Sequence, residues 1–222
     1  MTKTTRKNLT VKALQTELAY LEKSPLNAYC KDTLRMERKL IGAVNNRGEN
    51  LDYDAVMQYC KTQLQILGVG ATKIAYGTDH LAICFIDANH EPRFGNQIAL
   101  QVKAWERIAL SNEARFFNPV LSYGLHRGDK LHPMDKRYLN KSFIVSPKAQ
   151  FYGGIRESII ATFKLNNQPY NKEGVDAYYT TLMKAADIHN IGDLHGNNVG
   201  VIFDFSINQY KTVITDYGLN KF

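Results

Sequence analysis

Two acidic residues and an asparagine in the C-terminal part of the chain have the spacing of a phosphoryl-transfer site. Asp193 is followed five residues later by Asn198, and Asp216 comes after the apolar run Val199-Gly-Val-Ile-Phe203. Phosphoryl transfer needs one carboxylate that accepts the proton of the attacking hydroxyl, and an amide oxygen and a second carboxylate that hold a metal ion. The spacing therefore predicts Asp193 as the catalytic base, with Asn198 and Asp216 as metal ligands. A hairpin with acidic turns is the alternative interpretation.

A glycine-rich segment lies well before these residues in the chain, as a phosphate-binding loop should. It reads Leu67-Gly-Val-Gly-Ala-Thr-Lys-Ile-Ala-Tyr76 and follows a short apolar run. Gly68 and Gly70 have no side chain, so their backbone N–H groups can approach phosphate oxygens closely. The segment predicts a nucleotide-phosphate site that includes Gly68, Gly70, Thr72 and Lys73.

These three motifs, in this order, resemble those of the protein-kinase superfamily. The kinase catalytic loop reads D-L-x-x-x-N and the metal loop reads D-F-G; here they are D-L-H-G-N-N from Asp193 and Asp-Tyr-Gly from Asp216. The resemblance implies ATP and Mg²⁺ as cofactors. It also implies an α+β fold, a minimal bilobal protein-kinase-like fold with an antiparallel-sheet small lobe, a short truncated helical large lobe and an N-terminal helical extension. The D-L-H-x-x-N form is typical of aminoglycoside- and choline-kinase-like enzymes, where His195 would contact phosphate or brace the loop.

The lysine that kinases carry on a strand after the glycine loop is missing. Kinases have V-A-I-K at this place, whereas this chain has Leu81-Ala-Ile-Cys84. The with-no-lysine kinases are similar, since they have cysteine at the strand position and a lysine in the glycine-rich strand. By that resemblance Lys73 is a catalytic residue that supplies positive charge to the phosphates. Two alternatives stay open: Lys73 faces solvent in a pseudokinase, or Lys103 takes the role.

An amphipathic helix is expected over 97–110, because its apolar residues recur at helical spacing. In kinases the helix at this place carries a glutamate that holds the ATP lysine. Glu106 is the candidate for that glutamate, and Glu113 is the second choice.

The chain is expected to form three segments without a flexible linker. Residues 1–62 form the helical extension, 63–145 the small lobe and 146–222 the large lobe. Ser146 begins the hinge, where backbone groups would meet the adenine ring. The expected elements are helices over 51–63 and 176–187 and strands over 120–125 and 142–145.

Composition restricts the class of protein. The 222 residues include 44% hydrophobic side chains, which is enough for a folded core. No apolar run is long enough for a membrane span, and the first residues do not resemble a secretory signal. Three cysteines without disulfide or metal spacing indicate a reducing cytoplasm. The net charge of +7 is scattered, so nucleic acid is not expected as a direct ligand. Nothing in the sequence indicates an oligomeric state.

The whole arrangement resembles the short early-gene serine/threonine kinases of tailed bacteriophages. That resemblance implies an ATP-dependent protein kinase that phosphorylates host proteins, for example of transcription or translation, and also itself. One alternative is a pseudokinase that inhibits a host protein by docking. A second is a small-molecule phosphotransferase, which is disfavoured because only four residues follow Gly218, whereas those enzymes hold the acceptor in a helical region after the metal loop.

Overall fold

The computed structural model describes residues 53–69, 73–78, 80–86, 97–125, 142–204 and 207–217. The chain divides into two compact units. The first comprises Met1–Ala99 and Val120–Lys148, and the second comprises Leu100–Pro119 and Ala149–Phe222. Leu100–Pro119, which the sequence assigned to the small lobe, thus groups with the second unit. The helices expected before residue 51 lie outside the described residues, and the other segment boundaries stay predictions.

The described part of the first unit contains one helix and an antiparallel sheet of five strands in the order β1-β2-β3-β5-β4. The helix expected over 51–63 is confirmed, since α1 spans Tyr53–Gln63. Both strands expected after residue 119 are also present. The strands are β1 (Gln65–Val69), β2 (Lys73–Gly77), β3 (Leu81–Ile86), β4 (Ser122–Leu125) and β5 (Ser142–Pro147).

Strand β3 shows why the sheet has one fully buried face. Successive side chains of a strand point to opposite faces, so Leu81, Ile83 and Phe85 share one face. All three are buried, and they form the core of this unit with apolar residues of the other strands and of α1. The Phe85 ring lies 5.9 Å from Tyr76 and 5.6 Å from Phe143, measured between ring centroids. The opposite face carries Lys73 and Ser146, two of the residues that the sequence predicts to bind nucleotide.

The second unit contains three helices and a two-stranded hairpin in its described part, together with two short 3₁₀ helices. The helix expected over 97–110 is α2, and the helix expected over 176–187 is longer than predicted at both ends. The α+β class, with helices and antiparallel sheet, is therefore confirmed. The elements are α2 (Gln97–Ile108), a 3₁₀ turn (Asn112–Phe116), α3 (Ile155–Leu165), α4 (Lys172–Ile188), a second 3₁₀ turn (Gly196–Asn198), β6 (Val199–Asp204) and β7 (Gln209–Ile214).

A buried hydroxyl cluster fastens α3 to the hairpin. Thr162 Oγ1 and Thr212 Oγ1 lie 2.7 Å apart, and both lie within hydrogen-bonding distance of the Ser158 carbonyl oxygen. Ser158 Oγ in turn donates to the Val199 carbonyl at 3.2 Å. Buried hydroxyls are costly unless they are paired, so this mutual pairing favours one seating of the hairpin on the helix.

The apolar core of the second unit joins α2, α4 and the hairpin. Ala104 and Ile108 of α2 pack with Leu182 of α4, and Val199 and Ile214 contribute from the hairpin. None of the helices in the described ranges has the length and apolar character needed to cross a membrane.

Candidate functional site

The catalytic loop begins where α4 ends, and a Schellman motif fixes that end. Asn190 has a left-handed backbone with φ of 57°, a conformation that asparagine adopts more readily than most residues. The Ile191 N–H then donates to the Ala186 carbonyl at 2.9 Å, and the Asn190 N–H donates to the Asp187 carbonyl at 3.0 Å. Ile191 is buried in the core of this unit. The loop therefore leaves the helix from a fixed point two residues before Asp193.

Asp193 and Asn198, which are adjacent in the predicted site, are joined by hydrogen bonds. Asn198 Nδ2 donates to the Asp193 carbonyl at 2.8 Å and lies 3.4 Å from Asp193 Oδ2. The Asp193 side chain is 53% exposed, so an acceptor hydroxyl can reach it. The amide nitrogen of Asn198 is committed to the loop, which leaves its amide oxygen as the atom for a metal ion.

His195 braces this loop through its Nδ1 atom. Its Nδ1 accepts from the Asn197 N–H at 3.2 Å and so caps the short 3₁₀ turn. Because Nδ1 is an acceptor here, the ring hydrogen is assigned to Nε2, which lies 3.6 Å from Asp193 Oδ1. Of the two roles expected for His195, the geometry supports the bracing role directly.

Asp216 is positioned by the hairpin that follows the catalytic loop. Val199 pairs with Ile214, so Asn198 and Thr215 form the next step of the ladder. The Thr215 N–H donates to the Asn198 carbonyl at 2.8 Å, and Thr215 Oγ1 donates to the same oxygen at 3.1 Å. The residue beside Asp216 is thus bonded directly to Asn198, which brings both predicted metal ligands to one end of the hairpin.

The residue after Asp216 is buried and hydrogen-bonded. Tyr217 is fully buried and packs edge-on against Phe117, with 5.4 Å between ring centroids. Its hydroxyl donates to the Asn118 carbonyl at 2.7 Å. Burial raises the pKa of Tyr217 far above its usual value, so the hydroxyl stays neutral. The aromatic side chain therefore anchors the metal loop in the core.

Gly196 allows the catalytic loop to approach another backbone segment very closely. A Cβ atom at Gly196 would lie 2.8 Å from the Gly153 carbonyl oxygen and 2.8 Å from the Gly154 Cα. Gly153 itself has φ of +82°, a conformation that favours glycine. The contact between the predicted catalytic loop and the segment that leads into α3 therefore requires Gly196, and the backbone conformation of that segment favours glycine at position 153.

The donor set fits a magnesium ion. Mg²⁺ prefers oxygen ligands and is commonly held by one or two protein carboxylates, with substrate phosphates and water completing the shell. The Asp216 carboxylate and the Asn198 amide oxygen supply such ligands. No group of three or more histidine, cysteine, aspartate or glutamate side chains in the described ranges could hold a metal ion by itself.

In the first unit, Lys73 and Cys84 lie on the same face of the sheet. Ala75 is the cross-strand partner of Cys84, and Lys73 is the partner of Ile86. Directly opposed residues of antiparallel strands point to the same face, so all four share the face opposite the core. A Cβ atom at Gly68 would meet nothing within 4 Å, which leaves space for a ligand to approach the backbone. Gly70 and Thr72 lie outside the described residues.

Ser146 shares that face, because it pairs with Ala82. It is the penultimate residue of β5, and its hydroxyl is buried with no hydrogen-bond partner among the described residues. Leaving a buried hydroxyl unpaired costs about 1–3 kcal/mol, which a bound ligand could recover. The predicted hinge thus coincides with the end of a strand.

The three charged candidates near α2 differ in position and exposure. Glu106 is half-buried on α2, and Lys103 is exposed on the same helix. Glu113, the second choice as lysine partner, lies in the 3₁₀ turn, where His189 Nε2 is 3.7 Å from its Oε2. The second choice therefore lies beside the end of α4.

Gln101 is a functional candidate that the sequence analysis missed. Its Nε2 donates to the Thr215 carbonyl at 2.9 Å, and its side chain is buried. A signal was present in the sequence, since Gln101 is a polar residue beside Ile98 and Val102 on the apolar stripe of α2.

Comparisons with known proteins give only a distant likeness. No family model matches the chain, and no curated protein matches it. It is similar to the solved structure of the Helicobacter pylori proinflammatory kinase CtkA, with 13% identity and a TM-score of 0.40, over 71% of this chain and 59% of that one. It is also similar to SAICAR synthase from Saccharomyces cerevisiae complexed with SAICAR, with 11% identity and a TM-score of 0.37, over 69% and 73%. Likeness at this level says nothing of activity, so function is argued from the site residues.

Proposed function

We propose that this protein is an ATP-dependent phosphotransferase, and specifically a serine/threonine protein kinase. The observation that carries the proposal is a series of hydrogen bonds that links Asp193 to Asn198 and Asn198 to Thr215. Asn198 donates to the Asp193 carbonyl through its side chain and accepts from Thr215 through its backbone. A base, an amide ligand and the neighbour of a second carboxylate are thereby held together at one end of a hairpin.

In this proposal Asp193 is the general base. Its carboxylate is half exposed and is oriented by the bonds that Asn198 and His195 make to the loop. It would accept the proton of a serine or threonine hydroxyl as the oxygen attacks the terminal phosphate. General bases of this kind contribute roughly 10²–10⁴-fold to rate.

Asn198 and Asp216 would hold Mg²⁺, which neutralises the charge that develops on the transferred phosphoryl group. Lys73 would add a fixed positive charge at the phosphates, in place of the lysine that Cys84 lacks. The backbone of Gly68 and Gly70, with Thr72, would contact phosphate oxygens. Glu106 is the proposed partner of the lysine.

Ser146 is proposed as a nucleotide contact on the sheet face that also carries Lys73. Its buried hydroxyl, which pairs with no described residue, supports a ligand beside it. The adenine ring of ATP has donors and acceptors on its edge that could satisfy this group.

The proposed acceptors are proteins of a bacterial host, with the chain acting in the host cytoplasm. This part of the proposal rests on the resemblance to short phage early-gene kinases. The net charge of +7 supports acidic partners in general. Transcription or translation proteins and the kinase itself are the acceptor classes to test first.

One alternative is favoured by a specific observation. The strand position of the ATP lysine is occupied by Cys84, which would suit a pseudokinase that acts by docking on a host protein. The cross-braced arrangement of Asp193 and Asn198 favours chemistry instead, because a docking module gains nothing from it.

Transfer of labelled phosphate from ATP tests the proposal. The wild-type protein would be incubated with γ-labelled ATP and Mg²⁺, alone and with a bacterial lysate, and the labelled amino acids identified. We expect phosphoserine or phosphothreonine with wild type and none with Asp216→Asn. Asp187→Asn, an exposed change on α4, is the matched control and should retain activity. Folded wild type that transfers no phosphate would contradict the proposal.

A further inference from the structure

We infer that Gln101 is a positioning residue for the metal carboxylate, acting on the peptide group that leads into Asp216. This inference rests on the proposed function in one respect, because it takes Asp216 to be a metal ligand. Gln101 belongs to α2, and Thr215 and Tyr217 flank Asp216 directly. All these residues lie in the second unit.

The bond on the N-terminal side is direct. Gln101 Nε2 donates to the Thr215 carbonyl oxygen at 2.9 Å. That carbonyl belongs to the peptide unit that leads into Asp216, so its direction sets the start of the Asp216 backbone. The N–H of Thr215 is already bonded to the Asn198 carbonyl. The peptide groups on both sides of Thr215 are therefore fixed.

The residue on the C-terminal side is fixed by its own ring. The Tyr217 hydroxyl donates to the Asn118 carbonyl at 2.7 Å, and the ring packs edge-on against Phe117. Gln101 therefore holds the peptide group before Asp216, while its own buried contacts hold Tyr217, the residue after it.

The chemistry of this position explains why it is an amide. Only 2% of Gln101 is exposed, and an ionised glutamate so buried would require a cation beside it. A carboxylate would also fail to donate to the Thr215 carbonyl. A neutral amide donates there without adding negative charge next to the Asp216 carboxylate. Glutamine is therefore suited to hold a metal-binding aspartate from behind.

The arrangement includes its own reporter. The chain has a single tryptophan, Trp105, and its ring centroid lies 6.4 Å from that of Tyr217. Trp105 is one helical turn beyond Gln101 on α2. A metal ion that orders the loop around Asp216 should therefore change Trp105 emission.

The test is a Mg²⁺ titration in the presence of ATP, followed by Trp105 fluorescence. We expect Gln101→Met, which keeps the length but removes the donor, to raise the Mg²⁺ midpoint roughly ten-fold, the usual effect of removing a group that supports a metal ligand. Tyr217→Phe removes the bond of the hydroxyl to the Asn118 carbonyl but leaves the Gln101 bond to Thr215, so it should give a smaller rise. Arg107→Gln, an exposed change on α2, is the matched control and should leave the midpoint unchanged.

The outcomes separate this inference from the proposed function. A higher midpoint in Gln101→Met without phosphate transfer by any protein would support the inference and contradict the kinase. Phosphate transfer with the same Mg²⁺ dependence in wild type and Gln101→Met would do the reverse. If Gln101→Met does not fold, Gln101→Asn takes its place, because its shorter amide does not reach the Thr215 carbonyl, and an unchanged midpoint in that variant overturns the inference. Wild-type emission that does not respond to Mg²⁺ with ATP overturns it as well.

Discussion

Asp193 and Asn198 lie in a loop that side-chain hydrogen bonds cross-brace, whereas Lys73 and Cys84 lie on neighbouring strands and are placed by strand register. In the second unit Asp193 and Asn198 are fixed by contacts within their loop, such as the bond from the Asn198 amide to the Asp193 carbonyl. In the first unit the proposed residues share a sheet face. The comparison teaches that the hydrogen-bonded loop can orient reacting groups. The sheet face can instead present a charged side chain from either of two neighbouring strands.

This difference has a physical origin. Side chains on one face of a sheet point in the same direction, whichever strand carries them. A lysine on one strand can therefore be replaced by a lysine on the neighbouring strand without altering the fold. A base must be held within a fraction of an ångström of its productive position. We therefore expect substitutions in the braced loop to have larger effects than those on the sheet face, and the predictions below test that order.

The largest of these effects is expected from Asn198→Ala. The change removes a metal ligand and also the bond that closes the loop onto the Asp193 carbonyl. Phosphate transfer should fall roughly 10²–10³-fold, as when a preorganised electrostatic group is removed. The rate of label transfer at saturating ATP and Mg²⁺ measures this. Asn197→Ala, an exposed neighbour in the loop, is the control, and an equal loss in both variants would contradict the ligand role.

Lys73→Met should lower activity less than Asn198→Ala does. A lysine on the neighbouring strand should restore part of the loss. Loss of the charge should lower kcat/KM for ATP roughly 10²-fold. Adding Cys84→Lys returns a cation to the same face and should recover part of that loss. Steady-state kinetics with varied ATP give the values, and Lys61→Met on the exposed surface of α1 is the matched control. Full activity in Lys73→Met would show that this lysine has no role.

Gly196→Ala tests how tightly the catalytic loop is seated. The added methyl group would lie 2.8 Å from the Gly153 carbonyl oxygen, so the loop must shift. Overpacking of this kind costs about 1–3 kcal/mol of unfolding free energy. The melting temperature and the rate of label transfer should both decrease. An unchanged melting temperature together with unchanged activity would mean that the close contact does not hold the loop.

The smallest effect concerns the two described cysteines. Cys60 of α1 packs in the core on one face of the first unit's sheet, whereas Cys84 lies on the opposite face of that sheet. Cys60 is fully buried under the sheet, and burial raises its pKa from 9.0 to about 12, whereas Cys84 is partly exposed. Because the thiolate is the reactive form, iodoacetamide at pH 8.5 should modify Cys84 well before Cys60. Peptide mapping by mass spectrometry measures both rates. ATP with Mg²⁺ should slow the reaction of Cys84 only.

The raised pKa of Cys60 also predicts how the free energy of unfolding changes with pH. The raised pKa means that folding favours the neutral thiol of Cys60, so the stabilisation is complete below about pH 9 and decreases as the pH rises towards 12. Cys60→Ala should remove this part of the alkaline destabilisation in urea unfolding curves. Curves of wild type and variant that stay parallel from pH 8 to pH 11 would contradict the assignment.

The sequence predicted those parts of the fold and site that depend on local pattern. Asp193 and Asn198 are five residues apart, and a tight turn followed by a hairpin brings them to Thr215 with little freedom. The helices α1, α2 and α4 follow from apolar periodicity. Strand β3 was recognisable because its apolar run matched a known motif.

The sequence could not predict contacts that depend on tertiary packing. Gln101 contacts Thr215 across more than one hundred residues of chain, and only packing of α2 on the hairpin makes that contact. The exclusion of side chains at Gly196 likewise depends on Gly153, whose approach no local pattern encodes. Burial of the Ser146 hydroxyl depends on strand pairing in the sheet.

The most direct test of the central claim measures nucleotide binding and phosphate transfer in the same preparations of wild type and Asp193→Asn. Asp193 is proposed to accept a proton and not to hold the metal, so the variant should bind ATP with Mg²⁺ as wild type does, as judged by Trp105 fluorescence. Its single-turnover transfer rate should nevertheless fall roughly 10²–10⁴-fold. Transfer at the wild-type rate by Asp193→Asn would contradict the account, because the braced loop would then have no catalytic base.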